Sequence, residues 1–175
     1  MMQNDYLILE TMESVTGWSA LSNETASIVS STNHVTGAAA VSFDKVAASD
    51  NVAAGAIVKT VAYDNIFQEW RPQDYINWLF YLSVKTDTAD AFIRLGTDAS
   101  NYNEWRYADA SVTAARWNIC QARLGACIAS VGNGWDPKNV DYLVVGIIFD
   151  GVDSLLAGTD GMVVDSIYLS SAWSS

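Results

Sequence analysis

The sequence is poor in the residues that most often build active sites and metal centres. It contains one histidine, His34, and two cysteines, Cys120 and Cys127, which are seven positions apart without a Cys-x-x-Cys motif. Nucleophilic catalysis requires an activated serine or cysteine beside a base, and a single histidine cannot form a metal cluster. Gly-x-Ser-x-Gly, Gly-x-Gly-x-x-Gly and P-loop motifs are also absent. We therefore predict no catalytic residue, no bound metal and no cofactor.

Basic residues are also scarce. Nine lysines and arginines face 20 acidic residues, which gives a formal net charge of -11. A surface this acidic repels phosphate groups, so nucleic acid and anionic membranes are not expected as partners. The N-terminus lacks the basic and hydrophobic regions of a secretory signal, which favours a protein that is assembled inside the cell that makes it. Burial of Cys120 as a free thiol is the favoured interpretation, and a disulfide with Cys127 stays open.

Hydrophobic and aromatic residues are abundant, at 50% and 11% of the chain. The clearest pattern runs from Ile93 to Tyr107, where apolar and polar residues alternate on both sides of a tip rich in Gly, Asp, Ser and Asn, as in a β-hairpin. Residues 12–33 look irregular, and residues 136–140 could form one helical turn. Further strands are predicted at Tyr6–Glu10, Ala39–Phe43, Ala56–Val61, Asn77–Val84, Thr113–Ile119, Asp141–Phe149 and Met162–Leu169.

These patterns predict an all-β chain, a single-domain jelly-roll β-sandwich of about eight or nine strands. Residues 1–10 would be an N-terminal arm or first strand, residues 11–169 the sandwich, and residues 170–175 a C-terminal tail. The arm and the tail are hypothesised to dock on neighbouring subunits.

Three segments resemble the galactose-binding-like jelly rolls, a family of β-sandwiches found as carbohydrate-binding modules and as virion modules. They are Gly37–Asp44, Ile93–Tyr102, and the closing Val163–Leu169 with its Asp-x-Ile pattern. The hairpin, together with Trp117-Asn118 and Gly132–Pro137, is similar to structural proteins of tailed bacteriophages. This resemblance implies a non-enzymatic virion protein.

Three functions follow from this resemblance and from the composition. The first is a bacteriophage decoration or cement protein on the capsid exterior, assembled in the host cytoplasm as a dimer or trimer. Its partners would be the major capsid protein or other virion proteins. The alternative is a carbohydrate-binding module of a fibre or tail protein that contacts host-surface glycans. A glycan hydrolase would need paired carboxylates such as Glu10 with Glu13, or Asp98 with Glu104.

Aromatic residues supply the candidate ligand or partner contacts. Trp70, Tyr102 and Trp135 occupy predicted loops or tips, and Trp173 stands in the polar tail. Their rings could stack on sugars or anchor a protein interface. Trp78, Trp105 and Trp117 fall in predicted strands and are expected in the core. The oxygen-rich tip from Asp98 to Glu104 could attract calcium, but Asp and Asn are also ordinary turn residues, and no metal site is predicted there.

Overall fold

Two β-sheets face each other across an apolar core. The computed structural model describes residues 6–45, 54–85, 88–149 and 160–172, and twelve strands lie within them. The strands are β1 (Tyr6–Glu10), β2 (Trp18–Ala20), β3 (Thr25–Ser31), β4 (Ala40–Lys45), β5 (Ala54–Thr60), β6 (Tyr75–Leu82), β7 (Thr88–Asp98), β8 (Asn101–Tyr107), β9 (Arg116–Arg123), β10 (Ala129–Val131), β11 (Tyr142–Phe149) and β12 (Met162–Ser170).

The front sheet has the strand order β3-β4-β12-β6-β9, with β1 also paired to β12. The back sheet has the order β10-β8-β7-β11-β5-β2. The paired strands of both sheets are antiparallel, and β12 joins three partners: β4, β6 and β1. This arrangement confirms the predicted all-β sandwich.

Alternation of side chains along the strands explains why the core lies between the sheets. In β6, Ile76, Trp78, Phe80 and Leu82 are fully buried and belong to the main core. Their sequence neighbours point to the outer face of the front sheet, because successive side chains of a strand point to opposite faces. In the back sheet, β11 contributes its core residues by the same rule: Leu143, Val145, Ile147 and Phe149.

The predicted central hairpin is confirmed as β7 and β8, with Ile93 opposite Trp105. Its tip is closed by Asp98, whose Oδ1 accepts the backbone N–H of Ser100 at 2.7 Å and the side-chain amide of Asn101 at 3.1 Å. The hydrogen bond from the Ser100 backbone lowers the pKa of Asp98. The carboxylate therefore organises the turn. Among the described residues, no group of three or more acidic, histidine or cysteine side chains is placed to hold a metal ion.

The segment predicted to be irregular, residues 12–33, contains β2 and β3 instead, which is one reason why the strand count was too low. The periodicity of β3 is broken by a bulge between Ala26 and Val29, where Ser27 has a φ of 54°. Such a bulge displaces the alternation on which the sequence prediction depends.

The helical turn predicted at residues 136–140 is also wrong. The backbone N–H of Lys138 donates to Asp136 Oδ1 at 2.9 Å, and that of Asn139 donates to the Asp136 carbonyl at 3.0 Å. These bonds close a single turn without a helix. The helical structure in the described residues consists of two 3-10 turns, Ile66–Glu69 and Asp109–Ser111, so none of it is long enough to cross a bilayer.

Both cysteines are free thiols, Cys120 buried and Cys127 half-buried. Burial raises the pKa of Cys120, which suppresses the reactive thiolate. We expect a thiol reagent such as DTNB to modify Cys127 in the native protein at pH 8 and to reach Cys120 only in denaturant. The Cys127→Ser variant serves as the control, and rapid labelling of that variant without denaturant would contradict the placement of Cys120.

Candidate functional site

The outer face of the front sheet combines aromatic, apolar and polar side chains from four adjacent strands. Strand register arranges them in rows that cross β1, β12, β6 and β9. The first two rows are Tyr6–Ser170–Tyr75–Arg123 and Ile8–Tyr168–Asn77–Gln121. They are followed by the shorter rows Asp165–Leu79–Ile119 and Val163–Tyr81–Trp117.

A chain of hydrogen bonds connects the second row to the first. Gln121 Nε2 donates to Asn77 Oδ1 at 2.8 Å, and Asn77 Nδ2 donates to Ser170 Oγ at 2.9 Å. Asn77 is almost fully buried, whereas Gln121 is exposed. Because its amide nitrogen is held by Asn77, the exposed side chain of Gln121 has a fixed direction on β9.

One end of the face is aromatic and cationic. The rings of Tyr6 and Tyr168 lie 4.9 Å apart between centroids, and burial raises the pKa of Tyr168. The Arg123 guanidinium lies 5.8 Å from the centroid of Tyr75, and its Nε donates to the Tyr75 hydroxyl at 3.4 Å. Among the described residues, no carboxylate lies within 4.0 Å of Arg123. The side chain of Arg123 is exposed.

A ridge borders the face at the other end. We define this ridge as residues 33–36, in the connection from β3 to β4, together with Trp117. Trp117 Nε1 donates to Asn33 Oδ1 at 3.1 Å, and its ring lies 5.8 Å from that of Tyr81. Residues 35 and 36 are held to Asp165 on β12 by hydrogen bonds. The ridge therefore reaches from the centre of the front sheet to its edge strand, β9.

Apolar side chains are exposed on the same surface. Ile119, which lies between Trp117 and Gln121 on β9, is 61% exposed. Tyr6, Ile8 and Val35 are exposed as well. A sheet face that displays hydrophobic and aromatic side chains beside oriented polar groups has the composition of a binding surface.

The predicted contact residues are not brought together on this face. Trp70 packs against the main core, and the ring of Trp135 makes edge contacts with Phe67 at 5.1 Å and Trp105 at 5.2 Å. Tyr102 lies on the outer face of the back sheet, where the Arg94 guanidinium sits 4.9 Å from its centroid. Trp173 lies outside the described residues. The four stay predictions.

The prediction that Trp78, Trp105 and Trp117 all lie in the core is correct for the first two and wrong for Trp117. Trp78 and Trp105 are fully buried, but Trp117 is half-buried and faces outward. Strand parity gives the reason, since Trp117 alternates with the buried Asn118 and Cys120 of β9. Parity places Tyr75 and Tyr81 on one face of β6, but it does not tell which face is outward, because that strand is apolar on both faces.

The carboxylates considered for glycan hydrolysis have other contacts. Glu10 accepts hydrogen bonds from Lys59 at 2.7 Å and from the Tyr63 hydroxyl at 2.6 Å. Burial raises the pKa of Tyr63, and its bond to Glu10 adds to this effect. Glu104 is buried on the back sheet beside two arginines, and Asp98 closes the hairpin tip. These three carboxylates therefore have structural contacts away from the outer face of the front sheet.

Comparison with solved structures shows the fold. The chain is similar to a family 11 carbohydrate-binding module from Clostridium thermocellum in complex with a β-1,3-1,4-mixed-linked tetrasaccharide, with a TM-score of 0.64 and 12% identity over 97% of this chain and 98% of that chain. A family 30 carbohydrate-binding module of a Clostridium thermocellum cellulosomal cellulase matches with a TM-score of 0.54 and 11% identity, over 90% of this chain and 91% of that chain.

An exo-β-agarase also matches, with a TM-score of 0.62 and 8% identity, over 98% of this chain and 26% of that chain. No protein-family model and no curated protein matches the sequence. At these identities the likeness defines the fold, a jelly-roll β-sandwich shared with carbohydrate-binding modules.

Proposed function

We propose that this chain is a non-catalytic carbohydrate-binding module and that the outer face of the front sheet binds the glycan. The observation that carries the proposal is that Tyr75 and Arg123 of the first row lie beside Tyr168, Asn77 and Gln121 of the second row on one face of the front sheet. Sugar rings have apolar C–H faces that pack on aromatic rings, and hydroxyl groups that pair with amide and guanidinium groups. The fold shared with carbohydrate-binding modules supports the same conclusion.

The ridge sets the direction in which a glycan would lie. It obstructs a chain that follows the strands towards Trp117, but the two rows from Tyr6 to Arg123 and from Ile8 to Gln121 run across the strands without such an obstacle. Three strand spacings give a length of about 14 Å, which suits a short oligosaccharide segment. The glycan would therefore cross the strands beside the ridge.

Charge favours a neutral glycan. The chain carries a formal net charge of -11, and Arg123 is the one basic side chain in the four rows of this face. Acidic polysaccharides would be repelled by the protein as a whole, and a single arginine offers little compensation. Its guanidinium serves better as a hydrogen-bond donor to hydroxyl groups.

The test is isothermal titration calorimetry with a β-1,3-1,4-mixed-linked tetrasaccharide, soluble xylan and polygalacturonate. We expect binding of a neutral glycan and none of polygalacturonate. Tyr75→Ala, in the first of these rows, should weaken that binding about 10- to 100-fold, the range found for aromatic anchors. Trp117→Ala, in the ridge beside the glycan, should weaken it several-fold.

Tyr102→Ala is the matched control, because Tyr102 is a half-buried tyrosine on the opposite sheet. It should bind like the unmodified protein. Loss of binding in Tyr102→Ala together with full binding in Tyr75→Ala would place the site on the back sheet and overturn the proposal.

The virion decoration function stays a hypothesis. No comparison supports a capsid partner, an oligomer or a location on the capsid exterior, whereas the shared fold favours the glycan-binding alternative. Part of the predicted arm has a role within its own chain, because Tyr6–Glu10 forms β1 and pairs with β12.

A further inference from the structure

Asp165 belongs to the Asp-x-Ile pattern of the closing strand, and its environment is unusual for a carboxylate. It is fully buried although it points to the outer face of the front sheet, opposite Leu79. A buried carboxylate requires several hydrogen bonds to compensate for its lost hydration. Asp165 obtains them from the segment that crosses above it.

Two backbone N–H groups and a pair of hydroxyl groups satisfy this carboxylate. Its Oδ2 accepts the backbone N–H groups of Val35 at 2.7 Å and Thr36 at 2.8 Å. Its Oδ1 accepts the Thr36 hydroxyl at 2.8 Å and the Ser166 hydroxyl at 3.2 Å. The hydroxyl oxygens of Thr36 and Ser166 lie 2.6 Å apart. One side chain of β12 thus holds residues that lie 130 and 129 positions away along the chain.

A β-bulge aims these groups at the segment. The register of β12 against β6 shifts between Asp165 and Ile167, and Ser166 has a φ of 42°. A bulge places two consecutive residues opposite one residue of the partner strand, so the side chains of these two neighbours can contact the same residue. Asp165 and Ser166 both contact Thr36 for this reason.

The held segment in turn orients Trp117. Asn33 lies two positions before Val35, and its Oδ1 accepts the Trp117 indole N–H at 3.1 Å. We propose that Asp165 is a positioning residue for the glycan-binding face: it fixes the ridge, and through Asn33 it fixes the ring of Trp117. This inference rests on the proposed function, since it assigns Asp165 a role in the affinity of that same face.

Asp165→Asn tests the proposal. The amide is nearly isosteric but neutral. The backbone N–H groups of Val35 and Thr36 lose a charged acceptor, and the hydroxyls of Thr36 and Ser166 must reverse to accept from the NH₂ group. We expect the variant to remain folded by circular dichroism, to bind the mixed-linked tetrasaccharide several-fold more weakly, and to show a shifted Trp117 indole resonance in ¹H–¹⁵N NMR. The resonance is assigned by its absence in Trp117→Phe.

Two milder variants cover the case in which Asp165→Asn does not fold. Thr36→Val removes one hydroxyl from Asp165, and Asn33→Ala removes the acceptor of Trp117 while the bonds of Asp165 remain. Both should shift the indole resonance and weaken tetrasaccharide binding several-fold. Wild-type affinity in all folded variants would overturn the positioning role.

The two proposals fail differently. If the unmodified protein binds no glycan, the proposed function fails, but the Trp117 resonance still reports whether Asp165 positions the ridge. If the unmodified protein binds and Tyr75→Ala does not, while Asp165→Asn binds normally with an unshifted resonance, only the role of Asp165 is overturned.

Discussion

Replacing Trp105 by alanine is expected to lower the free energy of unfolding by about 3–5 kcal/mol, the range for a large aromatic residue removed from a core. The ring is fully buried, its centroid lies 5.2 Å from that of Trp135, and its indole N–H donates to the Leu124 carbonyl at 3.1 Å. The substitution leaves both a cavity and an unpaired carbonyl. Urea unfolding followed by circular dichroism measures the change.

Trp105→Phe is the control, because phenylalanine retains most of the ring volume but cannot donate the hydrogen bond to Leu124. Trp105→Phe should lower the free energy of unfolding by only about 1–3 kcal/mol. Equal losses for the two variants would show that the hydrogen bond, rather than packing against Trp135, dominates at this position. A loss below about 1 kcal/mol for Trp105→Ala would contradict the described core.

Glu104→Ala is expected to lower the free energy of unfolding by about 2–3 kcal/mol. The buried carboxylate of Glu104 accepts Arg94 Nε at 2.7 Å and Arg106 Nε at 2.6 Å. Its removal leaves the Arg94 guanidinium, whose side chain is 19% exposed, without its carboxylate partner against the rings of Phe92 and Tyr102. Breaking a fully buried pair costs more than this, and partial exposure of both arginines reduces the loss.

Asp90→Asn provides the comparison on the same surface. The ion pair between Asp90 and Arg106 is 3.7 Å long and both side chains are about one-third exposed, so its loss should cost less than about 1 kcal/mol. Thermal unfolding of the two variants in the same buffer separates the buried network from the exposed pair. Equal destabilisation would contradict the placement of Glu104.

The extent to which sequence predicted this structure depends on the regularity of alternation. β7, β8 and β11 were found because buried and exposed positions, or a continuous apolar run, mark them clearly. β3 was missed because its bulge at Ser27 interrupts the period, and β2 and β10 because each has three residues. Local signals of this size are too weak to specify a strand without its partner.

The candidate face was missed for a different reason. Loop position favours Trp70 and Trp135 as contact residues, but both pack against the core. The outward aromatic residues Tyr75 and Tyr81 belong to a strand that is apolar on both faces, so their exposure depends on which strands lie beside them. That information comes from the pairing of β6 with β9 and β12, which no local pattern contains.

The position of β12 has a consequence for biosynthesis. This strand pairs with β4, β6 and β1, yet it is the last strand of the described chain to be translated. Until β12 has been synthesised, the front sheet therefore remains divided, and the edges of β4 and β6 that pair with β12 have no partner there. Pairings between segments so distant in sequence are slow to form, so the front sheet is expected to be completed only after β12 has been synthesised, with the preceding strands accessible to chaperones until then.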